Sequence, residues 1–208
     1  MRIDSAGLPF IGGALLLALL AGTAVAWVLA LPFIVLGAFF LFFFRDPARQ
    51  VSAAQDDVLS PADGRVLVAG DAEAAATPDG AWQQISIFLS PMDVHVNRVP
   101  VSGRVTRVTY QPGTFLPAYH RDAASTNERS EIWIDHGGQI VVARQIVGIL
   151  ARRVVCRAAA GMEVRAGDRY GIMKFGSRMD IFVPPSATIR VAVGDVVRGG
   201  ETVIAVLH

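Results

Sequence analysis

Between Leu8 and Phe44 the chain runs for 37 residues without one ionisable side chain, bounded by Arg2 and Asp4 before it and by Arg45, Asp46 and Arg49 after it. A helix needs about 20 apolar residues to cross the hydrocarbon core of a bilayer, so the run is nearly long enough for two passes. Ala30-Leu31-Pro32 near its middle offers the break, because proline cannot continue the hydrogen-bond ladder of a preceding helix. The run therefore predicts a membrane-anchoring helical hairpin over residues 1–47. A cleavable signal peptide has an apolar core of only about 7 to 15 residues. Arg45 and Arg49 directly after the second helix place the remaining chain in the cytoplasm, and a hairpin returns Arg2 to the same side. The expected location is the cell (inner) membrane, with the second domain, residues 48–208, on its cytoplasmic face.

Composition closes off several other classes. Hydrophobic residues make up 52% of 208, and the net charge is +1 with arginines scattered along the chain, so no basic field gathers nucleic acid. The single cysteine, Cys156, cannot form an internal disulfide and leaves no metal-ligand spacing; no metal site is expected. Lys174 is the only lysine, and it stands just ahead of a Gly-Ser pair.

After Pro47 the chain becomes a series of short valine- and isoleucine-rich runs parted by glycine, proline and aspartate, which predicts a mainly β domain, sandwich- or barrel-like. Candidate strands are Arg65–Val68, Gln84–Leu89, Gly103–Tyr110, Glu131–Asp135, Ile140–Gln145, Arg152–Arg157 and Met179–Val183, with His136-Gly137-Gly138 as a hairpin turn. Toward the end there is a short repeat: Gly161, Val164, Arg165 and Gly167 recur as Gly194, Val197, Arg198 and Gly200. Each copy reads as a turn and a strand, similar to the hammerhead of biotinyl and lipoyl domains, although neither copy holds the lysine those domains modify.

The segment that carries chemistry is Lys174-Phe175-Gly176-Ser177-Arg178. Alone, a Gly-Ser pair is ordinary loop punctuation, and Met179 excludes the G-x-S-x-G nucleophile elbow. It is joined by Phe44-Arg45-Asp46-Pro47, by Ser60-Pro61-Ala62-Asp63-Gly64, by the Leu89–Pro100 segment containing Asp93-Val94-His95-Val96-Asn97-Arg98, and by Asn127-Glu128-Arg129. In that order these segments closely resemble the phosphatidylserine decarboxylase proenzymes, in particular their short bacterial and archaeal branch.

The resemblance implies a pyruvoyl-dependent enzyme that makes its own cofactor. Loss of CO2 from an amino acid leaves a carbanion that no ordinary side chain delocalises. In the family the serine hydroxyl attacks the preceding glycyl carbonyl, the amide becomes an ester, elimination releases the N-terminal chain, and hydrolysis leaves a pyruvoyl ketone. Carried over, cleavage falls between Gly176 and Ser177, Ser177 becomes the covalent pyruvoyl group, and the two resulting chains stay associated. That ketone would form a Schiff base with phosphatidylserine and release CO2 to give phosphatidylethanolamine.

Gly176 lacks a Cβ and does not crowd the attack. The hydroxyl and the later elimination both need a base, for which His95 is the candidate, with Asp63 as the acidic partner the family implies. Many relatives have a second histidine where this chain has Arg98, so His95 serves both steps or another group takes one. Lys174, Arg178 and Arg129 are candidates for the phosphate or carboxylate of the substrate. Homo-oligomerisation is left open. Rival readings are a decarboxylase for another serine phospholipid such as archaetidylserine, and a non-catalytic, membrane-tethered lipoyl-like module.

Overall fold

A computed structural model describes residues 2–24, 26–72, 77–120, 122–149, 154–174 and 177–208. Gly176 and Phe175 of the expected cleavage segment, and Arg152 and Arg153 of one predicted strand, lie outside the described residues. The chain forms two compact units, Met1–Ala48 and Arg49–His208.

In the first unit β1 (Arg2–Ile3) pairs with β2 (Arg45–Asp46), and between them run helices α1 (Leu8–Ala24) and α2 (Leu31–Phe43). Pro32 sits in the first turn of α2, where its missing N–H costs nothing because that group has no partner inside a helix anyway. The helices lie antiparallel: the Phe10 ring meets Phe40 at 5.4 Å and Phe44 at 5.5 Å between centroids, and a side chain at Gly37 would touch Ala14. Gly7 admits the Phe44 ring, into which a Cβ at that position would run. The Ser5–Ala24 stretch is long and apolar enough to cross a membrane by length and composition; the Trp27–Phe43 stretch is shorter.

The second unit is mainly β. Its strands are β3 (Asp57–Leu59), β4 (Gly64–Asp71), β5 (Gln83–Leu89), β6 (Val96–Arg98), β7 (Gly103–Gln111), β8 (Arg129–His136), β9 (Gln139–Val147), β10 (Val154–Cys156), β11 (Glu163–Val164), β12 (Arg169–Met173), β13 (Ser177–Val183), β14 (Thr188–Ile189), β15 (Val196–Val197) and β16 (Val203–Val206), with one helical turn, α3 (Ala123–Thr126). An eight-stranded sheet in the order β11-β7-β8-β9-β13-β5-β4-β15 curls into a half-barrel, and two three-stranded sheets, β10-β12-β6 and β14-β16-β3, complete the unit.

Alternation explains the large sheet. Ile132 and Ile134 of β8, Val141 and Ala143 of β9, Met179 and Ile181 of β13 and Ile85, Ile87 and Leu89 of β5 share one face and join Val58, Val99, Met173 and Ile204 in a single core. Each valine, leucine, isoleucine and methionine among them contributes about 1.5–3 kcal/mol by leaving water. The opposite face carries a polar ladder instead. Arg178 Nε donates to Asp180 at 2.6 Å and its terminal nitrogen to Ser86 Oγ at 2.9 Å, while Arg144 Nε donates to Glu131 at 2.8 Å.

The predicted hairpin turn is present: His136 pairs with Gln139, and Gly137 and Gly138 have φ of 61° and 94°, the signs a type I′ turn demands. Gly161, Gly167, Gly194 and Gly200 all have positive φ, and the strands they bracket, β11 and β15, form the two edges of the large sheet. The Gly161 amide donates to Val105 and the Gly194 amide to Val66 in matching fashion.

Candidate active site

Ser177 opens β13, which lies inside the large sheet between β5 and β9; the serine is opposite Leu89 on one side and Val147 on the other. It shares its face with Met179, so its side chain lies on the core side, fully buried, and its Oγ has no hydrogen-bond partner among the described residues. A buried hydroxyl with no partner forgoes stabilisation that nearly every such group in a folded protein secures.

His95 directly precedes β6, in the β10-β12-β6 sheet. β6 pairs with β12 through Val96 opposite Ile172 and Asn97 opposite Gly171, and the Met173 amide donates to the His95 carbonyl at 3.2 Å. The strand that runs into the expected cleavage segment is thus hydrogen-bonded to the residue expected to act on it. His95 is fully buried. Its Nδ1 lies 3.0 Å from the Asp93 carbonyl, which can only accept, so Nδ1 carries a proton in that contact. The Asp93 carboxylate in turn accepts the Ser90 amide and fixes the preceding turn.

Asp63 has different partners. Both its oxygens accept from one terminal nitrogen of Arg49, at 2.8 and 2.7 Å, and Oδ1 also accepts the Gly199 amide at 2.8 Å. Arg49 is a residue that sequence reasoning used only to orient the anchor. The loop that carries Asp63 is tied to β6, because the Arg98 amide donates to the Pro61 carbonyl. Arg98 closes β6. Its guanidinium donates to the Gly167 carbonyl at 3.0 Å and passes over Gly200, where a Cβ would lie 2.8 Å from Arg98 Cδ. It clasps the two glycine turns of the repeat.

Of the candidate cations, Arg178 points to the face opposite Ser177 and belongs to the polar ladder. Arg129 is half-buried, donates to the Ser125 carbonyl, and lines a cavity of about 350 Å³ with Arg107, Arg144, Glu131 and Tyr110. Burial and the charge of Arg144 lower its pKa, with Glu131 opposing them. Lys174 is half-buried, next to the cleavage segment. Within Asn127-Glu128-Arg129, Asn127 is a staple: its side chain accepts the Leu116 amide and donates to the Leu116 and Val147 carbonyls. Among the described residues no His, Cys, Asp and Glu cluster is arranged to hold a metal.

Asn97 and Gln145 escaped sequence reasoning. Gln145 Nε2 donates to Asn97 Oδ1 at 2.7 Å, both side chains fully buried. The signal was available for Gln145: it breaks the apolar register Val141, Ala143, Gln145, Val147 on the core face of β9.

A family model for phosphatidylserine decarboxylase matches residues 36–205. A phosphatidylserine decarboxylase proenzyme of Nitrosomonas europaea is 41% identical over 203 residues, covering 97% of this chain and 94% of its own. Those of Geotalea daltonii and Cupriavidus taiwanensis are 41% and 39% identical, each also covered over 94% of its length and covering 96% and 97% of this chain. The matches define an enzyme of the decarboxylase class, made as a zymogen. The chain belongs to the phosphatidylserine decarboxylase family.

Proposed function

We propose that the chain is a phosphatidylserine decarboxylase proenzyme that cleaves itself between Gly176 and Ser177, converts Ser177 to a pyruvoyl group and releases CO2 from phosphatidylserine at the cytoplasmic face of a membrane to which residues 1–47 anchor it. The observation that carries the self-processing reading is the buried Ser177 hydroxyl at the head of β13, without a hydrogen-bond partner among the described residues. A hydroxyl in that state is held for a reaction rather than for stability.

In maturation His95 Nε2 takes the Ser177 Oγ proton as Oγ bonds to the carbonyl carbon of residue 176. The C–N bond then breaks and the proton passes to the leaving amine. Abstraction of the Ser177 Cα proton breaks the Cβ–Oγ bond and frees the chain ending at residue 176. The Asp93 carbonyl keeps the imidazole in the competent tautomer, and Asp63 supports it indirectly, by holding the Ser60–Gly64 loop against β6.

Ser177 fits as the precursor because it heads β13 directly after the expected cleavage bond. A pyruvoyl group at residue 177 supplies the electron sink that decarboxylation requires. In turnover His95 is the group placed to move a proton at the substrate Cα, and Lys174 and Arg129 are the cations proposed for the phosphate or carboxylate. A diacyl substrate remains in the bilayer, so an anchor on the same chain brings the catalytic unit within reach of the headgroup.

Intact-mass measurement tests the proposal. Mature protein should contain residues 1–176 and a chain of residues 177–208 with a blocked N-terminus, whereas Ser177→Ala should remain one inactive chain. Active protein carrying a free serine amine at position 177 would overturn it.

A further inference from the structure

The face of the large sheet turned away from Ser177 holds a second charged cluster. On β8, Arg129, Glu131 and Trp133 alternate with the core residues Ile132 and Ile134 and so share that face. The registers add a cation from each neighbouring strand: Arg107 of β7 is opposite Trp133, and Arg144 of β9 is opposite Glu131. Three guanidinium groups thereby line one cavity of about 350 Å³, together with Tyr110 and Asp79.

Negative charge is in short supply there. Both oxygens of Glu131 are engaged: Oε1 accepts from Arg144 Nε at 2.8 Å, and Oε2 accepts from Trp133 Nε1 at 3.2 Å and Thr109 Oγ1 at 3.4 Å. Glu131 thus fixes Arg144 and the indole. Arg107 stacks on that indole, its Cζ 3.6 Å from the ring centroid, and Trp82 braces the same ring edge-on at 6.0 Å. A guanidinium held by its face keeps its N–H edge for an oxyanion. Arg129 gives one donor to the Ser125 carbonyl, and neither Arg107 nor Arg129 has an ion pair among the described residues. The further carboxylate, Asp79, is exposed, where water weakens its field. At Arg129 the charge of Arg144 outweighs that of Glu131: after burial, Arg144 is the larger influence on its lowered pKa.

We propose that this cavity binds a phosphate group at a site separate from the catalytic centre, with Arg107 as its principal donor and Arg129 and Arg144 supplying positive field. The planar fork of arginine offers paired donors to phosphate oxygens. A soluble phosphate ester and the headgroup of an anionic phospholipid present the same oxyanion. Arg129 is opposite Ile146, one position from the Val147–Ser177 pair, so it stands at the end of the sheet where substrate is proposed to bind; Arg107 lies further along β7 and takes no part there. Nothing in this site depends on Ser177 being a nucleophile.

The test uses the full-length Ser177→Ala chain in detergent micelles, which keeps the cavity and removes processing as a variable. Calorimetric titration with inorganic phosphate, glycerol 3-phosphate and a short-chain phosphatidylglycerol should show saturable binding. Arg107→Ala should weaken it about 10- to 100-fold, the effect of losing a hydrogen bond between charged groups. Arg107 is exposed, so its removal leaves the core packing untouched. Arg107→Lys, which keeps the charge but not the fork, should recover part of the loss. Arg190→Ala, which removes an exposed arginine outside the cavity, should change affinity by less than about twofold. Tighter binding of the lipid than of glycerol 3-phosphate marks a headgroup, the reverse or equality marks a soluble ester, and either result supports the site. Failure of all three probes to bind saturably, an affinity that Arg107→Ala leaves unchanged, or an equal loss in Arg190→Ala would overturn the proposal.

Discussion

The sharpest test of how the site is held concerns Asp63 and Arg49. Their side chains are 17% and 7% exposed and share a two-oxygen ion pair, with Glu201 a further 3.4 Å partner of Arg49. Breaking a buried pair from one side costs about 3–5 kcal/mol; the surviving Glu201 contact and the partial exposure of Asp63 reduce this to about 2–3 kcal/mol for Asp63→Asn. For a unit of this size that corresponds to a fall in melting temperature of about 4–12 °C. The measurement belongs in the Ser177→Ala background, where every molecule is the same uncut chain. Processing of each variant with Ser177 restored is then timed by gel. If Asp63 acts by clamping the Ser60–Gly64 loop against β6, Arg49→Met and Asp63→Asn should slow processing to a similar degree, because either change opens the same clamp. The reasoning is refuted if Asp63→Asn stops processing while Arg49→Met, equally destabilised, processes at the parent rate. Asp63 would then act on the imidazole itself.

His95→Ala should accumulate uncut chain and leave any matured fraction slow, each step by about 100- to 10,000-fold, scored by gel and by CO2 released per mole of pyruvoyl. Removal of residues 1–44 should preserve self-processing, since the reacting groups lie in the second unit, while lowering turnover on phosphatidylserine vesicles far more than on detergent-dispersed substrate. Burial, helped by Cys156, pushes the Tyr170 phenol well above its ordinary value of 10.0. The unfolded chain therefore loses that proton first, so stability is full below pH 10 and falls as pH rises through the folded value; Tyr170→Phe should flatten the decline in denaturant titrations. Gly64→Ala should unfold or strongly destabilise the second unit, since φ is 155° and the new Cβ would collide with the Phe88 carbonyl oxygen; circular dichroism melting reads it directly.

The strands legible in the sequence are those whose runs are rich in valine and isoleucine: β4, β5, β7, β8, β9, β10 and β13 all overlap predicted runs. β6 and β12 were not legible. Val96-Asn97-Arg98 is short and two-thirds polar, and β12 carries Arg169, Tyr170 and Gly171, so their pairing depends on contacts distant in sequence that no local pattern announces. The same holds within the site. His95, Asp63 and Ser177 are proposed through the motifs that contain them. The Arg49 and Gly199 partners of Asp63 lie 14 and 136 residues away and outside any motif. Asn97 and Gln145, 48 residues apart, are joined only once β6 is folded over β9.

A cut before Ser177 would sever the chain at the head of β13 without freeing either piece. Residues 177–208 supply an interior strand of the large sheet, its β15 edge, and β14 and β16 of a smaller one. A severed tail so interwoven behaves as a donated strand: it remains in register without a covalent tie, and its removal would open the core. The uncut chain unfolds within one molecule, but the cut protein unfolds by dissociation, so its melting becomes dependent on concentration. Refolding then requires two partners to find each other, and the severed bond is not remade. Maturation would thus exchange a reversible fold for one that persists through its barrier to unfolding.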